Sequence, residues 1–270
     1  SVGLRSRRLQ VRTPPGAPYL KKGLLMDANS FDALRSDLRK NDQLRPVTIQ
    51  KDIAPAATGS CLISFGKTQV ICAVSIEDKV PGWMRYQKVP GGWLTAEYSM
   101  LPYSTVERSR RPGANPNGRS IEIQRLIGRS LRASVDLLKL GPKTITIDCD
   151  VLNADGGTRT ASITGAYVAL VLAVRKLQAD GKLKKDPLTE QVAAISVGIV
   201  KGVPMLDLCY EEDFAASTDA NTVMTSAGTF IEVQSTAEEG AYSRAELNAM
   251  LDIAEKGNRE LLKMQLDALA

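Results

Sequence analysis

No histidine occurs among the 270 residues of this chain. Its absence removes Ser-His-Asp and Cys-His catalysis, histidine-ligated zinc and an imidazole general base. Chemistry must then come from carboxylates, arginines, lysines, hydroxyls, backbone donors or a hard metal ion. Cysteine is scarce: Cys61, Cys72, Cys149 and Cys209 stand far apart and none belongs to a CxxC pair. A zinc site and a disulfide framework are therefore unsupported, and the four read as plain core thiols of a reducing compartment. Aromatic residues make up only 5%, which argues against stacking as the main mode of nucleic-acid binding. No apolar run approaches the roughly 20 residues of a membrane-spanning helix, so no membrane partner is expected.

What is present suits a globular protein. The hydrophobic fraction of 43% is ordinary, and the length allows one large domain or two small ones. The net charge of +5 permits a polyanionic partner. Basic residues cluster: arginine occupies 108, 110, 111, 119, 125, 129 and 132. Residues 1–26 carry Arg5, Arg7, Arg8, Arg12, Lys21 and Lys22 without an acid, and Pro14, Pro15 and Pro18 break any helix there. The division expected is a basic, proline-containing extension over 1–42 and a single domain over 43–270. The extension reads as an extended arm, either a remnant of a targeting segment or a non-native start.

Periodicity outlines the domain. Gly59 to Phe65 and Gln69 to Ser75 read as strands flanking a hairpin turn at Gly66-Lys67-Thr68. Residues 78–118 lack a period and read as a long functional loop. Ser120 to Leu140 reads as one helix, with Ile123, Ile127, Leu131, Val135 and Leu138 on one stripe. Thr144 to Val151 alternates, so Ile145, Ile147, Cys149 and Val151 share a face. A second helix, apolar on most sides, is expected from about Thr160 to Asp180. Val192 to Val200, Pro204 to Leu208, Asn221 to Thr225 and Thr229 to Gln234 read as sheet, and Ser243 with Glu246 forms a capping box before a last helix. Strand pairs separated by helices suggest an α+β fold with a mixed sheet and packed helices.

Three stretches carry chemistry. Asp155-Gly156-Gly157-Thr158-Arg159 links a strand to a helix, where glycines allow close approach, a helix N-terminus supplies free N–H groups, and Arg159 supplies a planar fork suited to phosphate oxygens. It lacks the GxxxxGK[ST] spacing of a Walker loop. Gly118-Arg119 is a second glycine-arginine pair at a helix start, so the two could converge on one tetrahedral anion. Tyr210 to Asn221 reads as a polar loop that gathers Asp213 and Asp219 near Asp207, where oxygen ligands suit Mg²⁺ or Mn²⁺ or one carboxyl could act as a general acid.

Long motifs then point to a family. "GGWLTAEYSMLPYSTVERSRR", "GRSIEIQRLIGRSLRASVDL" and "TITIDCDVLNADGGTRTASITGAYVAL" resemble the ribonuclease PH family of phosphate-dependent exoribonucleases, which trim the 3′ ends of tRNA precursors. "QLRPVTI" and "VMTSAGTFIEVQSTAEEGAYS" are similar to it too, and the resemblance runs from about Gln43 to the C-terminus. It implies a ribosomal-protein-S5-domain-2-like α+β fold and a homohexameric ring built as a trimer of dimers. It also implies a phosphate site at Arg119, Gly157, Thr158 and Arg159, and catalytic or metal-associated aspartates at Asp213 and Asp219. An RNA-gripping basic loop is implied at Arg108, Arg110 and Arg111, and the cytoplasm as the location, with an organelle as the alternative if the basic arm is a targeting remnant. Inorganic phosphate is the implied co-substrate and RNA the partner. The chain departs from the pattern at Tyr103, where arginine is usual, at Val106, where histidine is common, and at Cys209 and Ser217, which replace frequent acids. Two rival readings stay open: a non-catalytic ring subunit, and a metal-dependent hydrolase that uses water with the same aspartates.

Overall fold

Alternation builds the first layer. In the computed structural model, which describes residues 35–111, 118–238 and 240–270, strands β1 (Val47–Lys51), β2 (Gly59–Phe65), β3 (Thr68–Glu77), β4 (Trp93–Met100) and β5 (Thr144–Asn153) form a sheet of order β1-β2-β3-β5-β4. All neighbours are antiparallel except β4 and β5, which run parallel. Ile63, Phe65, Val70, Val74, Leu94, Ile145, Ile147 and Val151 share its buried face, as the period of two requires. The hairpin at Gly66-Lys67 is as expected, with Phe65 opposite Thr68. A second, antiparallel sheet of order β7-β6-β8-β9 is made by β6 (Val192–Val200), β7 (Val203–Leu206), β8 (Ala216–Thr225) and β9 (Phe230–Ala237). The fold is α+β with a mixed sheet.

One helix joins the two sheets. Helix α4 (Thr158–Ala179) packs its small residues on the first sheet; a Cβ at Gly165 would lie 2.7 Å from the Ile63 Cγ2. Its other side meets β6, where the Thr164 hydroxyl donates to the Ala194 carbonyl at 3.1 Å and accepts from the Ala194 N–H at 3.0 Å. A helix covered on both sides must be apolar all round. By length and hydropathy it could cross a membrane, contrary to the expectation that no run comes close, but 83% of its apolar window is buried inside the protein. Helix α6 (Arg244–Leu269), opened by the Ser243–Glu246 capping box, fastens on through Gln265, whose amide donates to the Thr164 and Val192 carbonyls at 2.9 Å each.

Local signals misplaced several elements. The segment read as one loop over 78–118 contains α1 (Gly82–Gln87) and all of β4. The parallel partner of β4 lies some fifty residues downstream, beyond any local window. The helix expected over 120–140 is two: α2 (Gly118–Arg132) and α3 (Leu137–Leu140). Between them the Asp136 carboxylate accepts from the Leu138 and Lys139 N–H groups, a capping geometry that stops one helix and starts another. Leu138, assigned to the buried stripe, is 67% exposed. The loop expected at Tyr210 to Asn221 is instead the short helix α5 (Tyr210–Ala215) running straight into β8.

The expected domain start at Gln43 also moves. Arg35, Arg39 and Arg45 are buried beside two buried acids, Asp207 and Glu212. Arg35 holds Glu212 through Nε at 2.6 Å and Nη2 at 2.5 Å, and donates to the Leu206 and Asp207 carbonyls at 2.7 and 3.0 Å. Arg39 lies 3.6 Å from both acids. Residues 35–42 therefore belong to the folded unit with the described residues that follow, while residues 1–34 of the expected extension lie outside the described residues.

Burial pushes the Glu212 carboxyl up, but the Arg35 hydrogen bonds, the Cys209 N–H and the charges of Arg35 and Arg39 together more than offset this and hold it below the ordinary glutamate range. The pair's stabilisation is therefore present at neutral pH and is lost as pH falls through that lowered value. Arg35→Ala is expected to destabilise the protein by about 3 kcal/mol at pH 7, because it strands a buried carboxylate. Urea unfolding should show this deficit shrinking once the pH drops below the ordinary glutamate value.

Candidate active site

The turn from β5 into α4 is gripped from behind. Arg45, just before β1, donates through Nη1 to the Asp155 carbonyl at 2.5 Å and through Nη2 to the Gly156 carbonyl at 3.4 Å. The same guanidinium holds the Asp207 carboxylate through Nε at 3.0 Å and Nη2 at 2.7 Å. Burial alone would lower the Arg45 pKa, but its bonds and charge contact with Asp207 raise it. The Thr68 hydroxyl donates to the Gly156 carbonyl at 2.7 Å and accepts from the Asp155 N–H at 3.0 Å. With these carbonyls engaged, the start of α4 offers its first N–H groups forward. Gly156 and Gly157 have φ of 74° and 66°, the left-handed region that glycine adopts without strain. Gly157 is the N-cap of α4, and no side chain caps that end.

Arginines and acids gather in front of this turn. Arg159, in the first turn of α4, donates from Nη1 to the Gln234 Oε1 at 3.0 Å and lies 4.0 Å from the Glu122 carboxylate. Gln234 in turn donates to Glu122 at 3.0 Å, so α2, α4 and β9 are linked. Arg119 opens α2 and is exposed. The Thr158 and Tyr98 hydroxyls share a hydrogen bond of 2.8 Å. Burial raises the Tyr98 hydroxyl above its ordinary value, opposed by that bond and by the charges of Arg119 and Arg159.

Asp213 on α5 is exposed and Asp219 on β8 is partly exposed, and the surrounding protein partly desolvates both carboxyls. Burial raises the Asp213 carboxyl above the ordinary aspartate value, while Arg159 and then Arg119 pull it down. Asp219 is raised by burial first and by the Asp213 charge second, with Arg159 opposing. Arg119, Arg159, Asp213 and Asp219 thus share one electrostatic neighbourhood, although they come from two helix starts, a short helix and a strand. Arg108, Arg110 and Arg111 are exposed on the segment after β4. That segment is tied to the turn at its base, where the Ala154 N–H donates to the Ser104 carbonyl at 2.8 Å. Of its expected basic loop, residues 112–117 lie outside the described residues.

The remaining departures have local roles. Cys209 is the N-cap of α5, and its N–H donates to the Glu212 carboxylate at 3.0 Å. Ser217 donates to the Ile199 carbonyl at 3.2 Å, while Tyr103 and Val106 are exposed. Arg45, Tyr98, Glu122 and Gln234 were not singled out from the sequence, although each stands inside one of the family-like stretches.

Among the described residues no group of three or more His, Cys, Asp or Glu side chains is placed to hold a metal ion. What Asp213 and Asp219 offer is a pair of hard oxygen donors. That fits a Mg²⁺ or Mn²⁺ ion bound by one or two carboxylates and completed by water and substrate phosphate.

Comparison with known proteins identifies the family. Residues 43–176 match domain 1 of the 3′ exoribonuclease family, and residues 190–257 match its domain 2. The fold is similar to rice (Oryza sativa) Rrp46, with a TM-score of 0.70 at 18% identity over 87% of this chain and 99% of that one. It is also similar to the Archaeoglobus fulgidus exosome with RNA bound to the active site, with a TM-score of 0.72 at 23% identity over 86% of this chain and 92% of that one. An archaeal exosome core gives 0.69 at 24% identity over 86% and 91%. The chain belongs to the 3′ exoribonuclease family.

The geometry of the turn separates its two glycines. A Cβ on Gly156 would lie 2.4 Å from the Leu208 carbonyl oxygen, whereas one on Gly157 would meet the Arg45 Nη2 at 3.1 Å, the end of a side chain. Both substitutions carry left-handed strain of about 1–2 kcal/mol. Gly156→Ala must also move backbone, so its thermal midpoint should fall well below that of Gly157→Ala; equal midpoints would contradict the packing described.

Proposed function

We propose that this member of the 3′ exoribonuclease family is a phosphate-dependent 3′→5′ exoribonuclease that trims the 3′ ends of tRNA precursors. The observation that carries this reading is the start of α4, where the left-handed Gly156–Gly157 turn leaves the helix end without a side-chain cap and Arg159 stands in its first turn. An anion aimed by the two guanidinium groups would lie beside the carboxylate pair. In the reaction a phosphate oxygen attacks the phosphorus of the last phosphodiester in line. The bond from that phosphorus to the 3′ oxygen of the preceding nucleotide breaks, a nucleoside 5′-diphosphate leaves, and the freed 3′ oxygen takes a proton. Phosphate is ionised near pH 7, so a chain without histidine lacks nothing as a base. The difficulty is bringing a dianion to a charged diester. Arg119, Arg159, the Thr158 hydroxyl and the N–H groups at Gly157 and Thr158 offset that repulsion and aim the nucleophile. Asp213 and Asp219 would hold a divalent ion, which when bound would supply charge neutralisation at the reacting phosphate. In the alternative to holding an ion, one of these two carboxyls, raised by desolvation, hands a proton to the leaving oxygen.

In this reading Arg108, Arg110 and Arg111 grip the RNA, and the chain works in the cytoplasm as a homohexamer, a trimer of dimers. Its likeness to exosome structures favours one further reading, a non-catalytic RNA-binding ring subunit. Incubating a labelled tRNA precursor with and without phosphate separates the readings. Phosphorolysis yields nucleoside diphosphates only with phosphate, a hydrolase yields monophosphates in either case, and a non-catalytic subunit yields neither. Arg119→Ala and Arg159→Ala should each raise the KM for phosphate about 10- to 100-fold, the size of a lost charge-assisted hydrogen bond; unchanged phosphate dependence in both would reject their role. Arg108→Ala should weaken RNA binding and reduce the slope of log affinity against log salt by about one.

A further inference from the structure

Helix α5 shows water its largest apolar side chains. Glu212 turns inward to Arg35, while Tyr210 and Phe214, one turn apart, are 62% and 84% exposed. Their ring centroids lie 6.4 Å apart with 30° between the planes. The chain has four phenylalanines, and leaving one this open stabilises nothing in the fold. The place of the pair is what gives it meaning. The Tyr210 N–H donates to the Asp155 carboxylate at 3.3 Å, which seats the helix against the glycine turn. The carbonyl of Leu208 and the backbone of Cys209 pack on Gly156. Asp213 projects from the same short helix, between the two rings in sequence. The aromatic pair therefore borders the arginine–aspartate site.

We infer that Tyr210 and Phe214 form a stacking platform for the nucleobase at the 3′ end of the RNA. This rests on the exoribonuclease reading and adds to it how the base is held. The guanidinium groups address phosphate oxygens, and the rings address the flat apolar base attached to the same nucleotide. Every base has a π-face, so a platform of this kind accepts any sequence. That matches an enzyme that must step along a chain of unlike nucleotides. The low aromatic content is consistent with it, because stacking is needed at one nucleotide while charge supplies the grip elsewhere.

The test uses the full chain and an RNA oligonucleotide ending in 2-aminopurine, titrated without phosphate so that binding is read without turnover. Wild-type protein should quench the terminal base. The double variant Tyr210→Ala, Phe214→Ala should lose the quench and raise Kd about tenfold, with the KM for phosphate and the assembly mass unchanged. Phe214→Trp should keep the quench, and Phe214→Leu, apolar without a ring face, should not. An unaltered Kd and quench in the double variant overturn the platform. A changed assembly mass overturns it in favour of a contact between copies of this chain. Wild-type protein that releases nucleoside diphosphates yet never quenches the base sinks the platform alone. If it neither binds RNA nor releases diphosphates, the exoribonuclease reading falls with it.

Discussion

The guanidinium of Arg45 is the point through which the rest of the site is held. It binds the Asp207 carboxylate and, with the same fork, the carbonyls of Asp155 and Gly156. Asp207 itself sits at φ 53°, a left-handed conformation that a non-glycine residue keeps only where its surroundings enforce it. One charged contact therefore sets the exit from β7, the entry to α5 and the turn before α4. Arg35 and Arg39 extend the same buried network to Glu212, adjacent in sequence to Asp213. Buried charges contribute little net stability as pairs. Their value here is that losing Arg35 or Arg45 deprives Glu212 or Asp207 of its nearest charge partner, which fixes the relative placement of three segments distant in sequence.

Helix α4 turns that local geometry into an architecture. Its small residues let the first sheet come close, and Thr164 and its neighbours meet the second sheet. The helix is clamped along most of its length, and its start lies beside α2 through the Arg159–Glu122 approach and beside α5 through the Tyr210–Asp155 bond. In the proposed reading, an anion held at the end of this rigid, two-sided element has little freedom to drift, which is what aiming a nucleophile requires. The hydroxyl bond from Thr158 to Tyr98 ties the same helix end to β4.

The site is electrostatic in design and mixed in sign. Burial disfavours ionised Asp213 and Asp219, while Arg159 and Arg119 favour them. Arg159 is meanwhile held by Gln234 and Glu122, and it faces a choice between protein oxygens and those of an incoming anion. In the proposed reading, the positive groups, the acids and the exposed aromatic pair would address the three parts of a nucleotide end: its phosphates, its reacting oxygen and its base.

Much of this was legible in the residue string. The alternation of Thr144 to Val151, the hairpin at Gly66-Lys67, the capping box at Ser243 and the apolar helix after Gly157 are local patterns, and local backbone preferences produce them. The glycine-arginine turns were visible because free N–H groups and planar forks demand particular residues at particular spacings. Hidden were β4, whose pairing partner is remote, and the break at Asp136, where one capping carboxylate overrides a continuous apolar stripe. Hidden too were Arg35 and Arg45, because a buried charge is recognised by what it meets rather than by its neighbours in the chain. Sequence alone therefore determined the family and the α+β class, and it supplied the arginines, glycines and aspartates without histidine. Only the tertiary structure decided which of those groups share a field, because convergence of segments distant in sequence depends on packing that no short window contains.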